Sequence, residues 1–234
     1  MVSLLLREER NQNQIKKKML EEITTLDSVI RTALGLGVVQ WLAFAFSIIY
    51  VILAAAENIW CWFFGIISVV LAFIVYVDPE VRLYSDAVLQ VFYVVMSIYG
   101  WWSWRQQRKG ETETAVLDNA SHAEELQITE WPFKNHLILF FIGSLLAFAL
   151  GWFWTLMNAA LPYIDAFTTS FSVIATILVA RKVLENWLYW IVIDFVCIFV
   201  YAHRGLYLFS LLFFIYCVIA VFGYLNWRRK TKLI

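Results

Sequence analysis

The chain has 234 residues, of which 62% are hydrophobic, 18% aromatic and only 15% charged, and its formal net charge is zero. Soluble domains carry about 25% charged residues, so this composition excludes an ordinary soluble protein and predicts an integral membrane protein. The zero net charge says nothing about a nucleic-acid partner, but no basic stripe with interleaved aromatic residues lies outside the apolar segments, so we set that class aside.

The first 37 residues are polar, and apolar residues recur near helical spacing in the run KKKMLEEITTLDSVIRTAL. This pattern predicts an N-terminal amphipathic helix at the membrane surface. It is not typical of a cleavable signal peptide, because about twenty polar or mixed residues separate the charged start from the first long apolar run.

Seven apolar stretches follow, and their lengths suit helices that cross a membrane. The predicted spans are 38–56, 59–77, 84–104, 135–156, 163–180, 186–202 and 205–227. We divide the chain into a first three-helix bundle (38–104), a polar loop (105–134), a linker transmembrane helix (135–156) and a second three-helix bundle (163–229).

The two groups of three spans resemble one another in sequence. The stretch RLYSDAVLQVFYVVMSIYGWWSWR aligns with RGLYLFSLLFFIYCVIAVFGYLNWR, which pairs Gly100 with Gly223 and Trp104 with Trp227. Upstream, ENIWCW aligns with ENWLYW and pairs Glu57 with Glu185, Asn58 with Asn186 and Trp62 with Trp190. Since one crossing separates the groups, the repeats are parallel, and the predicted fold is all-α with a 3+1+3 arrangement that resembles full-length SWEET transporters.

Lysine and arginine residues near the span ends predict the orientation, because such residues are retained in the cytoplasm. They concentrate on the side that carries the C-terminus, for example in RRKTK at 228–232, whereas the short loops opposite contain only Arg82 and Arg204. We therefore expect a cytoplasmic C-terminus, although the lysine run at 16–18 falls on the other side.

Polar residues in the sixth span form a stripe. In ENWLYWIVID, residues 185–194, the side chains of Asn186, Trp190 and Asp194 are spaced by four, and Trp187 lies three residues before Trp190. Residues at these spacings share one helix face, and an ionisable group within a span is a functional candidate. An alternative is that Asp194 and Asn186 only tie helices together through hydrogen bonds.

The third span carries a second stripe, in which Gln90 and Tyr93 lie one turn apart. Tyr216 occupies the position that matches Tyr93 in the second repeat. At the start of the second span, the further candidates for the same site are Asn58, Trp60 and Trp62.

Other functional classes require features that this sequence lacks. A membrane enzyme needs a nucleophile, a metal cluster or an acid–base pair, but the histidines at 122, 136 and 203 are scattered, and the cysteines at 61, 197 and 217 lack metal-ligand spacing. We predict no catalytic residue, metal or cofactor. A proton-coupled transporter using Asp194 remains an alternative, whereas a purely structural subunit leaves the polar stripes without a purpose.

The motifs W-x-x-W-x-x-x-D at 187–194 and L-Y-x-D-A-x-L-Q at 83–90, together with ENIWCWFFG, resemble the Pnu family of bacterial vitamin transporters over about residues 38–229. The closest similarity is to the branch that carries nicotinamide riboside, an NAD precursor. This resemblance implies a homotrimer in the inner membrane and facilitated diffusion, with a separate cytoplasmic kinase that traps the substrate by phosphorylation.

Carried over by position, the resemblance implies that the sixth-span stripe lines a substrate cavity and that Gln90 and Tyr93 lie opposite it. A cationic pyridinium ring favours aromatic faces and a carboxylate. A phosphate would need basic groups, which the spans lack, so a nucleoside fits better than a nucleotide. Thiamine and riboflavin, which related branches carry, remain alternative substrates.

Overall fold

The computed structural model describes residues 37–77, 84–117, 127–157 and 161–232, with a few isolated positions before residue 37. The predicted amphipathic helix within residues 1–37 lies outside the continuously described residues. In the described part the fold is all-α. Its seven helices are α1 (Val38–Ala55), α2 (Cys61–Tyr76), α3 (Tyr84–Leu117), α4 (Phe133–Leu156), α5 (Pro162–Ala180), α6 (Asn186–His203) and α7 (Tyr207–Thr231).

Five of these helices, α1 and α4–α7, are long and apolar enough to cross a membrane. The apolar helix α2 is shorter, at 16 residues. Large hydrophobic side chains point outward on many helices, and α4 is the clearest case, with Phe141 and Leu145 largely exposed. An apolar surface of this extent suits hydrocarbon rather than water, as expected of a multi-pass membrane protein.

The third helix is longer than the predicted span. It begins at Tyr84 as expected but continues to Leu117, so the first part of the predicted loop 105–134 is helical. The residues after Trp104 are mostly Arg, Gln, Lys, Glu and Thr, which contain no proline and can continue a helix into water. The change to polar residues that ended the predicted span does not end the helix.

Neighbouring helices pack in sequence order within two groups. Helix α2 contacts both α1 and α3, and helix α6 contacts both α5 and α7. Two contacts join the groups, α1 with α7 and α3 with α5, while α4 packs against α5. Each group therefore touches the other through its first and last helices.

Helices α1 and α5 end with the same backbone motif. Glu57 and Lys182 follow these helices in the left-handed conformation, with φ of 59° and 55°. The N–H of the next residue donates to a helix carbonyl five residues earlier, Asn58 N–H to Leu53 O at 2.8 Å and Val183 N–H to Leu178 O at 3.0 Å. These are Schellman motifs, and they place Glu57 and Lys182 at equivalent positions.

This equivalence corrects the alignment of ENIWCW with ENWLYW. The alignment paired Glu57 with Glu185 and Trp62 with Trp190 because it matched identical letters. In the structure, the equivalent of Glu57 is Lys182, and the tryptophan equivalent to Trp62 is Trp187. Backbone geometry decides the register here, because the junctions between the helices differ in sequence but not in conformation.

Two glycines allow tryptophan rings to pack against helix backbones. A Cβ added at Gly100 would lie 2.3 Å from the Trp62 ring, and one at Gly223 would lie 2.8 Å from the Trp187 ring. Contacts below 3.0 Å require the neighbour to move, and buried indoles have little space to do so. The close approach of α2 to α3, and of α6 to α7, therefore depends on these glycines.

We expect Gly100→Ala to destabilise the protein by about 2–3 kcal/mol through overpacking against Trp62. Gly205→Ala is the matched control, because Gly205 has a φ of 73° but open space around its Cβ position, so its cost is limited to about 1 kcal/mol of backbone strain. Thermal unfolding of the detergent-solubilised variants, followed by tryptophan fluorescence, measures the difference. Equal melting temperatures for the two variants would contradict the packing argument.

Candidate functional site: a central cavity between two helix groups

A cavity of about 330 Å³ lies between the two groups of helices. Small-molecule sites span about 300–1,000 Å³, so this volume suits a small ligand. Its lining comes from α1, α2 and α3 on one side and from α5, α6 and α7 on the other. Helix α4 contributes no lining residue among those described.

The cavity is closed at the end where α7 terminates, which we call the C-terminal side. Ala54 and Val179, each at the end of its helix, form the floor with Trp62 and Trp187, and all four are buried.

Trp104 and Trp227 lie next to the floor tryptophans and are fully buried. Trp104 meets Trp62 edge to face at 5.4 Å, and Trp227 meets Trp187 in the same way at the same distance. Their indole N–H groups donate to the opposite group of helices. Trp104 Nε1 donates to Val179 O at 3.2 Å, and Trp227 Nε1 donates to Ala54 O at 3.3 Å.

Helix α6 presents Trp190 and Asp194 to the cavity, as the spacing of four predicts. Asp194 is only 3% exposed. Among the described residues, no basic group faces it, because the cavity lining contains no Lys, Arg or His. Asp194 is thus a buried carboxyl group without a basic partner inside an aromatic cavity, and a cationic ligand would stabilise its charged form.

Hydroxyl and amide groups from α1, α3 and α7 also line the cavity. The predicted residues Gln90, Tyr93 and Tyr216 all reach the cavity. Sequence reasoning missed Ser47 and Tyr50, which come from α1 and also line it. The Ser47 hydroxyl forms a short hydrogen bond with the Tyr216 hydroxyl. Ser47 and Tyr50 lie three residues apart on α1, and this spacing is a weak signal that could have identified them. Isolated Ser and Tyr residues are, however, common in membrane helices.

Three predicted site residues lie outside the cavity lining. Asn186 is buried, and its Nδ2 donates to Val183 O at 2.6 Å. The Asn58 carboxamide oxygen accepts from the Trp60 backbone N–H at 3.0 Å. Trp60 is 54% exposed and packs edge to face on Trp101. Asn58 and Asn186 bond to nearby backbone because they lie beside the starts of α2 and α6, where such bonds are common.

In the part of the chain that the structure describes, no group of three or more His, Cys, Asp or Glu side chains is placed to hold a metal ion. The three cysteines are free, and Cys61 and Cys197 are buried. Among the described residues, the groups that line the cavity and could bind a ligand are aromatic faces, hydroxyl groups, one amide and one carboxylate.

Helices that expose apolar surface around an internal cavity define a multi-pass membrane protein. Comparison with known proteins identifies the family. Residues 37–229 match the family described as "Nicotinamide mononucleotide transporter", and the chain belongs to that family. The resemblance to the Pnu family is thereby confirmed.

Among its relatives, a protein from Escherichia coli strain K12 named "Nicotinamide riboside transporter PnuC" is 30% identical over 194 residues, which cover 77% of this chain and 80% of the relative. A protein of the same name from Neisseria mucosa is 28% identical over 205 residues, covering 82% and 74%. The solved structure "Crystal structure of the Vitamin B3 transporter PnuC" has a TM-score of 0.66 at 22% identity and covers 92% of each chain. The family and these relatives are transporters and not enzymes.

Proposed function

We propose that the protein transports nicotinamide riboside across the membrane. The observation that carries this proposal is the buried carboxyl group of Asp194 in a cavity walled by Trp187 and Trp190. Nicotinamide riboside carries a positive charge on an aromatic ring, so it would receive both a counter-charge and stacking or cation–π contacts there. The hydroxyl and amide groups of Ser47, Tyr50 and Gln90 suit its ribose hydroxyls.

The cavity favours the riboside over the mononucleotide named in the family description. A phosphate adds negative charge and usually requires Arg, Lys or helix N-termini. No basic side chain lines the cavity among the described residues, and Asp194 would repel the phosphate. The relatives from E. coli and N. mucosa are also named for the riboside. Phosphorylation by a cytoplasmic kinase would then trap the product inside the cell.

The architecture we propose for this function is the parallel 3+1+3 arrangement, in which 38–104 and 163–229 are the repeated bundles and 135–156 is the linker. The contacts of α1 with α7 and of α3 with α5 are equivalent under exchange of the bundles, which supports the proposal. The equivalent ends of α1 and α5 support it too. This arrangement resembles that of full-length SWEET proteins.

Transport would proceed by facilitated diffusion with alternating access, as the two bundles rock about the central cavity. The protein would lie in the bacterial inner membrane with its C-terminus in the cytoplasm. The exposed apolar face of α4 is available for packing against lipid or other subunits, consistent with a homotrimer. Residues 1–37 would form an amphipathic segment at the membrane surface.

Isothermal titration of the purified protein with nicotinamide riboside, nicotinamide mononucleotide, thiamine and riboflavin tests the proposed substrate. We expect micromolar binding of the riboside and much weaker binding of the mononucleotide, because only the latter brings a phosphate close to Asp194. Tighter binding of thiamine or riboflavin would assign a different vitamin to the same site. Tighter binding of the mononucleotide would contradict the electrostatic argument.

A further inference from the structure

We propose that Glu57 and Lys182 form a gate that closes the C-terminal side of the cavity, and that this ion pair must separate for ligand to pass on that side. The proposal rests on the proposed transport function, since only a transporter needs to open this end. It assigns a role to two charged residues that do not line the cavity.

The ion pair joins the two bundles directly. Glu57 Oε2 and Lys182 Nζ are 2.8 Å apart, and the residues are 6% and 0% exposed. Lys230, at the end of α7, approaches the other carboxylate oxygen at 3.0 Å. Lys182 Nζ also lies 4.7 Å from the centre of the Trp104 ring, within cation–π distance. The first bundle supplies the acid, and the second bundle supplies both bases.

The backbone at these two positions is strained. A left-handed residue after a helix is usually glycine, as Gly205 is after α6. Glu57 and Lys182 adopt the same conformation at a cost in free energy that glycine would avoid. Such strain persists where the surrounding structure compensates for it. The two left-handed residues occupy equivalent positions at the junction of the bundles, where their side chains form the ion pair.

The pair is coupled to the cavity floor through short stretches of helix. Glu57 and Lys182 lie three residues beyond Ala54 and Val179, which line the floor and accept the indole hydrogen bonds from the opposite bundle. Opening the floor by moving the bundles apart therefore breaks both the indole hydrogen bonds and the ion pair. The indole hydrogen bonds and the ion pair break together because all of them involve the ends of α1 and α5.

The chemistry of the floor suits a reversible closure. The indole N–H groups of Trp62 and Trp187 are buried and have no hydrogen-bond partner among the described residues, which disfavours the closed state. The ion pair favours the closed state, but its net contribution is moderate, because both charges regain hydration when water enters. Removal of one charge leaves the other buried and unpaired, which destabilises closure far more.

Accessibility of a cysteine in the cavity lining, three residues before the floor residue Ala54, tests the gate. Val51→Cys places a thiol in the cavity lining, in a background where the native cysteines are replaced by alanine. The protein is reconstituted in liposomes, and a small cationic methanethiosulfonate is added on the C-terminal side. We expect Glu57→Gln to raise the labelling rate by at least about tenfold, because a buried, unpaired Lys182 disfavours closure.

Asp165→Asn provides the matched control, because it removes the exposed ion pair with Arg204 at the opposite end of α5. This variant should label at the parental rate. An unchanged labelling rate in Glu57→Gln, with a monodisperse gel-filtration peak and the parental helical circular dichroism spectrum as evidence of folding, would overturn the gate. The labelling needs no ligand, so the gate and the proposed substrate fail independently: absence of riboside binding by the parent protein contradicts only the substrate.

A second variant keeps the proposal testable if Glu57→Gln does not fold. Glu57→Cys combined with Lys182→Cys allows the two positions to be linked by a short bifunctional thiol reagent with a reducible spacer. We expect linkage to abolish transport into liposomes and reduction to restore it. Full transport activity after complete linkage would overturn the gate, since the bundles would then not separate at this point.

Discussion

Replacing Asp194 with asparagine is expected to weaken binding of nicotinamide riboside by about ten- to a hundredfold. The substitution keeps the size and shape of the side chain and one acceptor oxygen, replaces the other oxygen with an NH2 donor, and removes the negative charge. In the wild-type cavity this charge has no basic partner among the described residues. A ligand cation therefore gains its attraction in a site with little water to screen it. Isothermal titration of both proteins measures the change.

Benzamide riboside, in which carbon replaces the charged ring nitrogen, separates charge from shape in this experiment. Wild-type protein should prefer nicotinamide riboside, and Asp194→Asn should bind the two ligands with similar affinity. If the asparagine variant retains the wild-type preference for the cation, Asp194 does not act as the counter-charge. The role of Asp194 would then be limited to hydrogen bonding between helices, which is the alternative stated in the sequence analysis.

Substitution of Trp190 by alanine is expected to reduce binding by roughly ten- to a hundredfold, since stacking of a base on an aromatic side chain contributes about 1–3 kcal/mol. Trp190 lines the cavity one turn from Asp194 and is only partly buried. Its ring also packs against the buried hydrophobic residues, so thermal unfolding is used to check that the variant is folded. Trp190→Phe should recover part of the affinity, because a smaller aromatic face remains. Titration with nicotinamide riboside gives the affinities.

Trp60→Ala is the matched control for this series. Trp60 was a candidate for the same site, but the structure places it 54% exposed and outside the cavity lining. Its removal should leave riboside affinity unchanged. A loss as large as that of Trp190→Ala would mean that Trp60 reaches the ligand in a conformation that differs from the one described here.

The residues of the candidate site were predictable where one helix carries the pattern. Trp187, Trp190 and Asp194 could be placed on one face because the helix repeat decides which side chains share a direction. Gln90 and Tyr93 followed from the same rule. The same rule did not predict where the side chains of Asn58 and Asn186 lie, because a polar residue near a helix start can bond to local backbone instead of facing a cavity.

Contacts between distant segments were not predictable in this way. Ser47 and Tyr216 form a hydrogen bond across the cavity, and neither residue type signals its partner in the sequence. The pairing of Glu57 with Lys182 was obscured because the sequence repeat aligned two glutamates. Only the left-handed backbone at both helix ends reveals their equivalence.

The sequence by itself determined the class of protein and the succession of its helices. Apolar stretches of this length cannot expose their backbone to lipid, so helix formation follows from composition alone. The tertiary structure decided which faces meet, where α3 ends and which polar groups lie in the cavity. These features depend on packing between segments far apart in the chain, where close approach at Gly100 and Gly223 and a buried ion pair select one arrangement among many with the same helices.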